Sequence, residues 1–301
     1  MIEVTDATHR PVRLKRPAQR VVSLVPSETA SLVALVGMER LAGRTDYCVE
    51  PAGKVEAIPS VGGTKGFDVE AVRALRPDLV LANKEENSRR LVEALLNAGL
   101  TVHVSFPCTV DQSLAYLESL CLLLGISPDA AEPLSACRAA AREATRAMPV
   151  KSLPVFVPIW KDPWMTFDEG AYASDVLALC GADNVFSGRS RRYPLAADLG
   201  KAAAWKAERV RQRDTRYPRI RLEEVVERGT RAVLLPNEPY AFGDYDAEMF
   251  ANLDSRHPLV AELVDGKDLF WYGTHLAHAL ERLRRQIAVL RLKCFGFEAH
   301  N

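Results

Sequence analysis

Two α/β lobes, each a Rossmann-like fold on a central, mostly parallel sheet, joined by one long backbone helix, are what this sequence predicts. Three observations carry that prediction. Apolar runs of strand length alternate with amphipathic runs of helix length. The same alternation recurs in the second half. Between the halves, Pro128–Met148 is rich in Ala and Arg, has no Gly, and holds prolines only near its ends.

Ile2–Leu14 alternates around turn formers and predicts a hairpin or arm. Val21–Val25 is a short buried strand ending at Pro26. Ser27, Glu28 and Thr29 supply a cap and an acidic first turn for a helix through Val36, stopped by Gly37. Asp68 caps the next helix, which runs to Arg76 before Pro77. Leu79–Ala82 is a strand, Asn87-Ser88 opens a helix to Asn97, and Thr101–Val104 is the next strand. Asp111–Leu124 sets Leu114, Leu117, Leu120, Cys121 and Leu124 on one helical stripe. Pro128–Met148, as one helix, would span roughly 31 Å. Leu153–Ile159 begins the second lobe. The expected divisions are 1–126, a connecting helix over 127–150, and 151–301.

The second half repeats the first. Ala30–Gly43 matches Ser174–Ser187 with Gly37 on Gly181, and Val69–Glu85 matches Leu222–Glu238 with Glu70 on Glu223 and Leu81 on Leu234. Arg189–Arg221 has no counterpart in the first half. It holds 11 Lys and Arg against 3 Asp and Glu, which predicts a basic surface insertion centred on 189–216, and Ala202–Trp205 is a plausible helical start. A cationic wall for an anionic ligand is a further reading of it.

The 301 residues are 48% apolar and 26% charged, which excludes a disordered chain and a disulfide-dense miniprotein. Lys and Arg balance Asp and Glu at 39 each, so bulk charge points to no nucleic-acid partner. No apolar run reaches the roughly 18 residues of a membrane helix. The first residues carry scattered charges and no leader-like apolar stretch. A cytoplasmic location is therefore expected for the chain as it stands, and a periplasmic or cell-surface one if its start is truncated. Six separated cysteines with no C-x-x-C spacing read as free thiols.

No motif for a nucleophilic serine, a zinc protease, a phosphate loop or a dinucleotide fold occurs. Gly62–Gly66, with Thr64 and Lys65, precedes a helix and is a candidate anion-holding loop. His275 and His278 are three apart but have no third ligand nearby; with His9, His103, His257 and His300 they predict no metal site. Aromatics follow strand ends: Trp160 and Trp164 after Val155–Ile159, and Tyr240 and Phe242 after Ala232–Leu235. With Trp271 they suit a broad planar ligand.

Several of these strings resemble one family. Val21–Val25 with Pro26-Ser27-Glu28-Thr29, Thr45-Asp46-Tyr47-Cys48, Pro59–Gly63, Asp68–Ala82 and Ala98–Val102 are similar to class III solute-binding proteins of ABC importers, the helical-backbone metal receptors. The vitamin B12 binders are the most similar branch. The resemblance spans nearly the whole chain and is loose in the second half until Cys180–Phe186. It implies two lobes bridged by a rigid helix, with ligand in the cleft between them. It places Tyr47, Tyr217 and either Trp160 or Trp164 at ligand positions. Glu70 and Glu223 match the glutamates that dock on importer membrane subunits. Thr64 and Asn83 stand where the B12 binders carry Trp, so two flat walls are absent.

The expected function is a solute-binding protein for a corrinoid such as cobalamin, a haem-like molecule or another metal chelate, without a prosthetic group and monomeric. Ser27, Tyr47, Thr64, Lys65, Asn83, Trp160, Trp164, Tyr217, Tyr240 and Trp271 are its candidate ligand contacts. An interaction or regulatory module is one alternative. An enzyme on a tetrapyrrole-like or sugar substrate is another, for which Glu28, Asp46, Asp168 and Glu238 are the only cleft carboxylates.

Overall fold

The N-terminal alternation folds into the expected hairpin. Strands β1 (Ile2–Thr5) and β2 (Pro11–Leu14) pair antiparallel, with Val4 opposite Val12 and both buried. The structure, a computed structural model, describes residues 1–211, 213–255 and 258–296. His257 and His300 lie outside the described residues. The chain divides into two units. One comprises Met1–Ala139 and Trp271–Ala277, the other Ala140–Phe270 and the residues from His278 onward.

In the first unit, β3 (Val21–Ser23) lies beside β4 (Leu41–Arg44) on one edge and β5 (Leu79–Asn83) on the other, followed by β6 (Val102–Ser105). All pairings are parallel. Every residue of β3, β5 and β6 is buried, as required of strands covered on both faces. The crossovers carry α1 (Pro26–Val36), α2 (Val69–Ala74) and α3 (Arg89–Asn97), and α4 (Val110–Leu124) follows β6. The start of α1 differs from the sequence expectation. Val25 occupies the cap position with no side-chain bond and Pro26 takes the first helical position, where its missing N–H costs nothing. Ser27, Glu28 and Thr29 are consequently inside the helix and buried.

The expected 21-residue connecting helix is shorter. A 3₁₀ turn spans Pro128–Ala130, Ala131 is extended, and α5 (Glu132–Arg146) has 15 residues, about 22 Å. Pro133 explains this. It lacks an N–H, and its ring would clash with the carbonyl four residues back, so a helix must begin with it in the first turn. The boundary between the units falls within α5, at Ala139/Ala140.

In the second unit, β7 (Leu153–Phe156) lies beside β8 (Ala182–Asn184) and β9 (Ala232–Pro236), with β10 (Val260–Val264) outermost, again all parallel. Its helices are α6 (Tyr172–Leu179), α7 (Leu195–Asp198), α8 (Ala207–Val210), α9 (Leu222–Glu227), α10 (Asp244–Ala251) and α11 (Gly266–Phe270). The last helix, α12, runs over Leu276–Phe295. Ala202–Ala204 is not helical; α8 starts only at Ala207.

Numbered within each sheet, both orders read second, first, third, fourth. The repeat seen in sequence carries α2 onto α9 and β5 onto β9 residue for residue. Gly37 and Gly181 both end a helix at φ 80°, a conformation that favours glycine. The cores differ in kind. Val22, Leu24, Val80 and Val104 form an aliphatic core in the first unit, whereas in the second Phe156 meets Phe186 tilted and Phe250 edge-on, with centroids 5.3 and 5.7 Å apart. All six cysteines are free. Among the described residues no helix is long and apolar enough to cross a membrane.

Candidate functional site

In open parallel sheets ligands gather at the carboxyl ends of the strands, at the point where the strand order reverses. That point lies between β3 and β5 in the first unit, and between β7 and β9 in the second. The two are furnished very differently.

At the first, Glu28 is fully buried just beyond β3. Its Oε1 accepts hydrogen bonds from the Tyr272 hydroxyl at 2.6 Å and from Ser105 Oγ. Its Oε2 has no partner. Burial pushes its pKa up to about 8 against the opposing pull of the Ser105 and Tyr272 hydroxyls. Burial therefore favours the protonated form of Glu28 near neutral pH. Asn83 and Ser105, the last residues of β5 and β6, close the ring. Asn83 Nδ2 donates to Ser105 Oγ at 3.0 Å and to Tyr272 at 2.9 Å. Asn83 Oδ1 accepts from the backbone N–H groups of Glu85 and Glu86. Burial, and then Glu28, raise the Tyr116 and Tyr272 hydroxyls well above the usual tyrosine value. Tyr116 stands edge-on to Tyr272 at 5.5 Å.

Tyr272 reaches this place because Trp271–Ala277 docks on the first unit. Gly273 N donates to Ser113 Oγ at 2.9 Å and Thr274 N to Ser31 Oγ at 3.1 Å. Gly273 has φ 87°, and a Cβ there would overlap Ser31 Oγ, so only glycine fits.

Around this plug lie the other candidates of the first unit. Tyr47, just past β4, is 63% exposed, with its ring edge close to Gly63. Lys65 is exposed and its Nζ donates to the Glu85 carbonyl. Thr64 is half-buried and its carbonyl accepts from Asn87 Nδ2 at 2.9 Å. Ser27 is buried, and Trp271 is buried with its ring 5.9 Å from His275. The expected anion role of the Gly62–Gly66 loop meets a competitor. Asp68 itself accepts from Glu70 N and Ala71 N, so a carboxylate already caps the following helix.

At the second point the furnishing is aromatic. Trp160, beyond β7, is 46% exposed and meets Tyr240, beyond β9, edge-on at 5.4 Å. Tyr240 packs on Phe242 at 4.7 Å, and Trp164 stacks on Phe242 at 5.9 Å and meets Phe250 at 5.2 Å. Trp164 thus belongs to the edge of the core, while Trp160 faces solvent. Lys161 lies 5.7 Å from the Trp164 ring centre and donates to Asp246 at 2.7 Å.

Tyr217 is half-buried with the Arg216 guanidinium 5.2 Å from its ring centre. Its strand-like neighbours run beside the Trp160 loop. Ile220 N donates to the Trp164 carbonyl, Thr166 N to Pro218 and Asp168 N to Arg216. Burial raises the Asp168 pKa.

Glu70 and Glu223 are both exposed, each in the first turn of a short helix, at matching positions of the repeat. His103, in β6, is buried, and burial lowers its pKa to about 4, so it is neutral. Sequence reasoning did not single out Ser105 or Tyr272 as a pair with Glu28. Ser105 had one signal, a polar residue ending an apolar strand; Tyr272 had none, since its partners lie more than 160 residues away.

Comparison with known proteins gives a consistent picture. The family model described as periplasmic binding protein matches residues 21–210. The vitamin B12-binding protein of Pectobacterium carotovorum is 29% identical over 185 residues, covering 58% of this chain and 64% of the relative. That of Yersinia pestis strain Pestoides F is 29% identical over 184 residues, covering 59% and 63%. The chain thus matches under two thirds of the length of these curated relatives. Among solved structures, the periplasmic heme-binding protein RhuT from Roseiflexus sp. RS-1 in apo form superposes with a TM-score of 0.70 at 16% identity, over 91% of this chain and 99% of that one. The periplasmic vitamin B12 binding protein BtuF of Vibrio cholerae superposes with a TM-score of 0.65 at 18% identity, over 91% and 98%. At such identities the superpositions show the fold.

Proposed function

This chain belongs to the periplasmic binding protein family, and from that premise we propose that it is a solute-binding protein for a planar metal chelate, a corrinoid or haem-like molecule, delivered to an ABC importer. The family is one of binding proteins. The observation that carries the ligand class is the aromatic pair at the strand ends of the second unit, exposed Trp160 against half-buried Tyr240. Flat apolar rings with one free edge suit a broad ring ligand, and aromatic anchors dominate such affinities. The names of the relatives, vitamin B12-binding and heme-binding, support the same class.

Ligand contacts are assigned to Trp160, Tyr217 and Tyr240 in the second unit and, separately, to Tyr47, Thr64 and Lys65 in the first. Asn83 and Ser27 are assigned a supporting role, since Asn83 spends its amide within the protein and Ser27 is buried. Glu70 and Glu223 are proposed as the importer-docking pair on the strength of their exposure and matched positions.

The test is a tryptophan-fluorescence and visible-absorbance titration with cyanocobalamin, cobinamide and haemin. Saturable 1:1 binding of one of them is expected, weakened about tenfold or more in W160A. No spectral change with any of the three at high micromolar ligand overturns the reading.

A further inference from the structure

The basic insertion of the second unit is a built feature rather than a solvated loop. Its base is locked by buried Arg189. Arg189 Nη1 donates to Asp198 at 2.9 Å, and its Nε donates to Glu224 at 3.1 Å. Asp198 also accepts from the backbone N–H groups of Arg192 and Arg219. Above this base, the Tyr193 and Trp205 rings stack at 6.1 Å and 17°. Trp205 N donates to the Tyr193 carbonyl and the Tyr193 hydroxyl to the Asp214 carbonyl, which fixes the pair.

Guanidinium groups cover these rings. Arg191 lies 4.4 Å from the Tyr193 centre, Arg209 3.8 Å from the Trp205 centre, and Arg213 about 5 Å from both. Arg219 is half-buried nearby and donates to the Tyr217 carbonyl. Burial and the charge of Arg191 hold Arg219 below the usual arginine range. Among the described residues, no carboxylate lies within ion-pair distance of Arg191, Arg209, Arg213 or Arg219. Asp198 is spent on Arg189, and Asp214 pairs with Arg216 at 2.6 Å. Like charges are thus held together, with Asp214 and Asp198 near enough to act on Arg191 and Arg219 but, among the described residues, with no carboxylate in a direct ion pair with them.

The occupied ring faces bear on what could bind. Single-stranded nucleic acid needs open aromatic faces for its bases. Here cations already lie over both rings, and what remains on offer is guanidinium N–H, which suits carboxylate or phosphate oxygens in bidentate fashion. The insertion also continues into the proposed ligand contacts: Arg191 N donates to Thr215, and residues 216–220 run beside the Trp160–Asp168 loop.

We infer that Arg191, Arg213 and Arg219 form an anion-recognition wall that selects a planar chelate bearing carboxylate arms over one with neutral arms. This rests on the ligand reading above and narrows it. The test compares zinc mesoporphyrin, coproporphyrin and uroporphyrin, whose carboxylate number rises in that order, with cobinamide as the ligand without carboxylates. It uses the wild type and an R191Q/R213Q double variant whose thermal unfolding matches the wild type.

Affinity is expected to rise along the porphyrin series in the wild type. The double variant should flatten the series, losing about tenfold or more on uroporphyrin (about 1.4 kcal/mol) with cobinamide binding unmoved. A series equally steep in the variant overturns the wall, as does a loss on cobinamide as large as on uroporphyrin. If no tetrapyrrole binds, titration with pyrophosphate separates the two readings. Binding that R191Q/R213Q abolishes keeps the wall and removes the chelate assignment, and absence of binding removes both. Salt-sensitive binding of oligo(dT) in preference to every porphyrin also overturns the proposal.

Discussion

The two units share one strand order, yet the reversal point of the first is plugged with hydrogen-bonded polar groups and that of the second is lined with partly exposed rings. In the first, Tyr272 fills the space and its hydroxyl bonds to Asn83, Ser105 and Oε1 of Glu28. In the second, Trp160 and Tyr240 leave an edge to solvent. A buried parallel sheet tolerates little besides apolar residues, so a duplicated scaffold keeps its strands alike. The residues just past the strand ends carry no such constraint, and there the copies have diverged.

The sharpest way to break this contrast is Tyr272→Ala. It removes a buried ring and leaves a buried acid short of a donor, at a cost of about 3–5 kcal/mol in urea unfolding. Tyr240→Ala, at the corresponding place in the second unit, should cost about 1 kcal/mol, because its ring is only half-buried. Equal losses would mean the two points are built alike.

The next effect is on pH. Glu28 is raised from 4.5 to about 8, so the folded chain holds a proton that the unfolded chain releases earlier. The stability contributed is full below about pH 4.5, declines as pH rises, and is lost above about pH 8. Glu28→Gln should flatten that decline in denaturant midpoints measured between pH 5 and pH 9 (roughly spanning the two values). A slope unchanged in the variant would assign the titration elsewhere.

A smaller effect separates the paired helices α2 and α9. Asp68 caps α2 through two backbone N–H groups, whereas Arg221 gives α9 no side-chain cap. Asp68→Ala should lower stability by about 1 kcal/mol and Arg221→Ala by much less. The smallest effect is expected of Glu70→Ala and Glu223→Ala, both exposed, which should change stability by under about 0.5 kcal/mol. Reconstituted transport is their proper readout; transport unaffected by the double variant would remove them as docking residues.

Much of this was open to a reader of the chain alone. The matches Gly37 to Gly181 and Glu70 to Glu223 anticipated a duplicated sheet, because apolar periodicity and helix-stopping glycines are local signals. Pro133 was equally visible, yet its consequence for the connecting helix depends on where the helix starts, which periodicity does not specify. Asn83 read as a ligand contact because it stands where the similar B12 binders carry Trp, and packing turned its amide inward.

Local pattern and composition by themselves determined the α/β class, the repeat, the free cysteines and the basic character of 189–216. Only the tertiary structure decided that Tyr272 returns to Glu28 and that guanidinium groups cover Tyr193 and Trp205. Hydrogen bonds and ring contacts between distant residues leave no periodicity behind, and burial, which sets the charge of Glu28, exists only once the chain has closed around it.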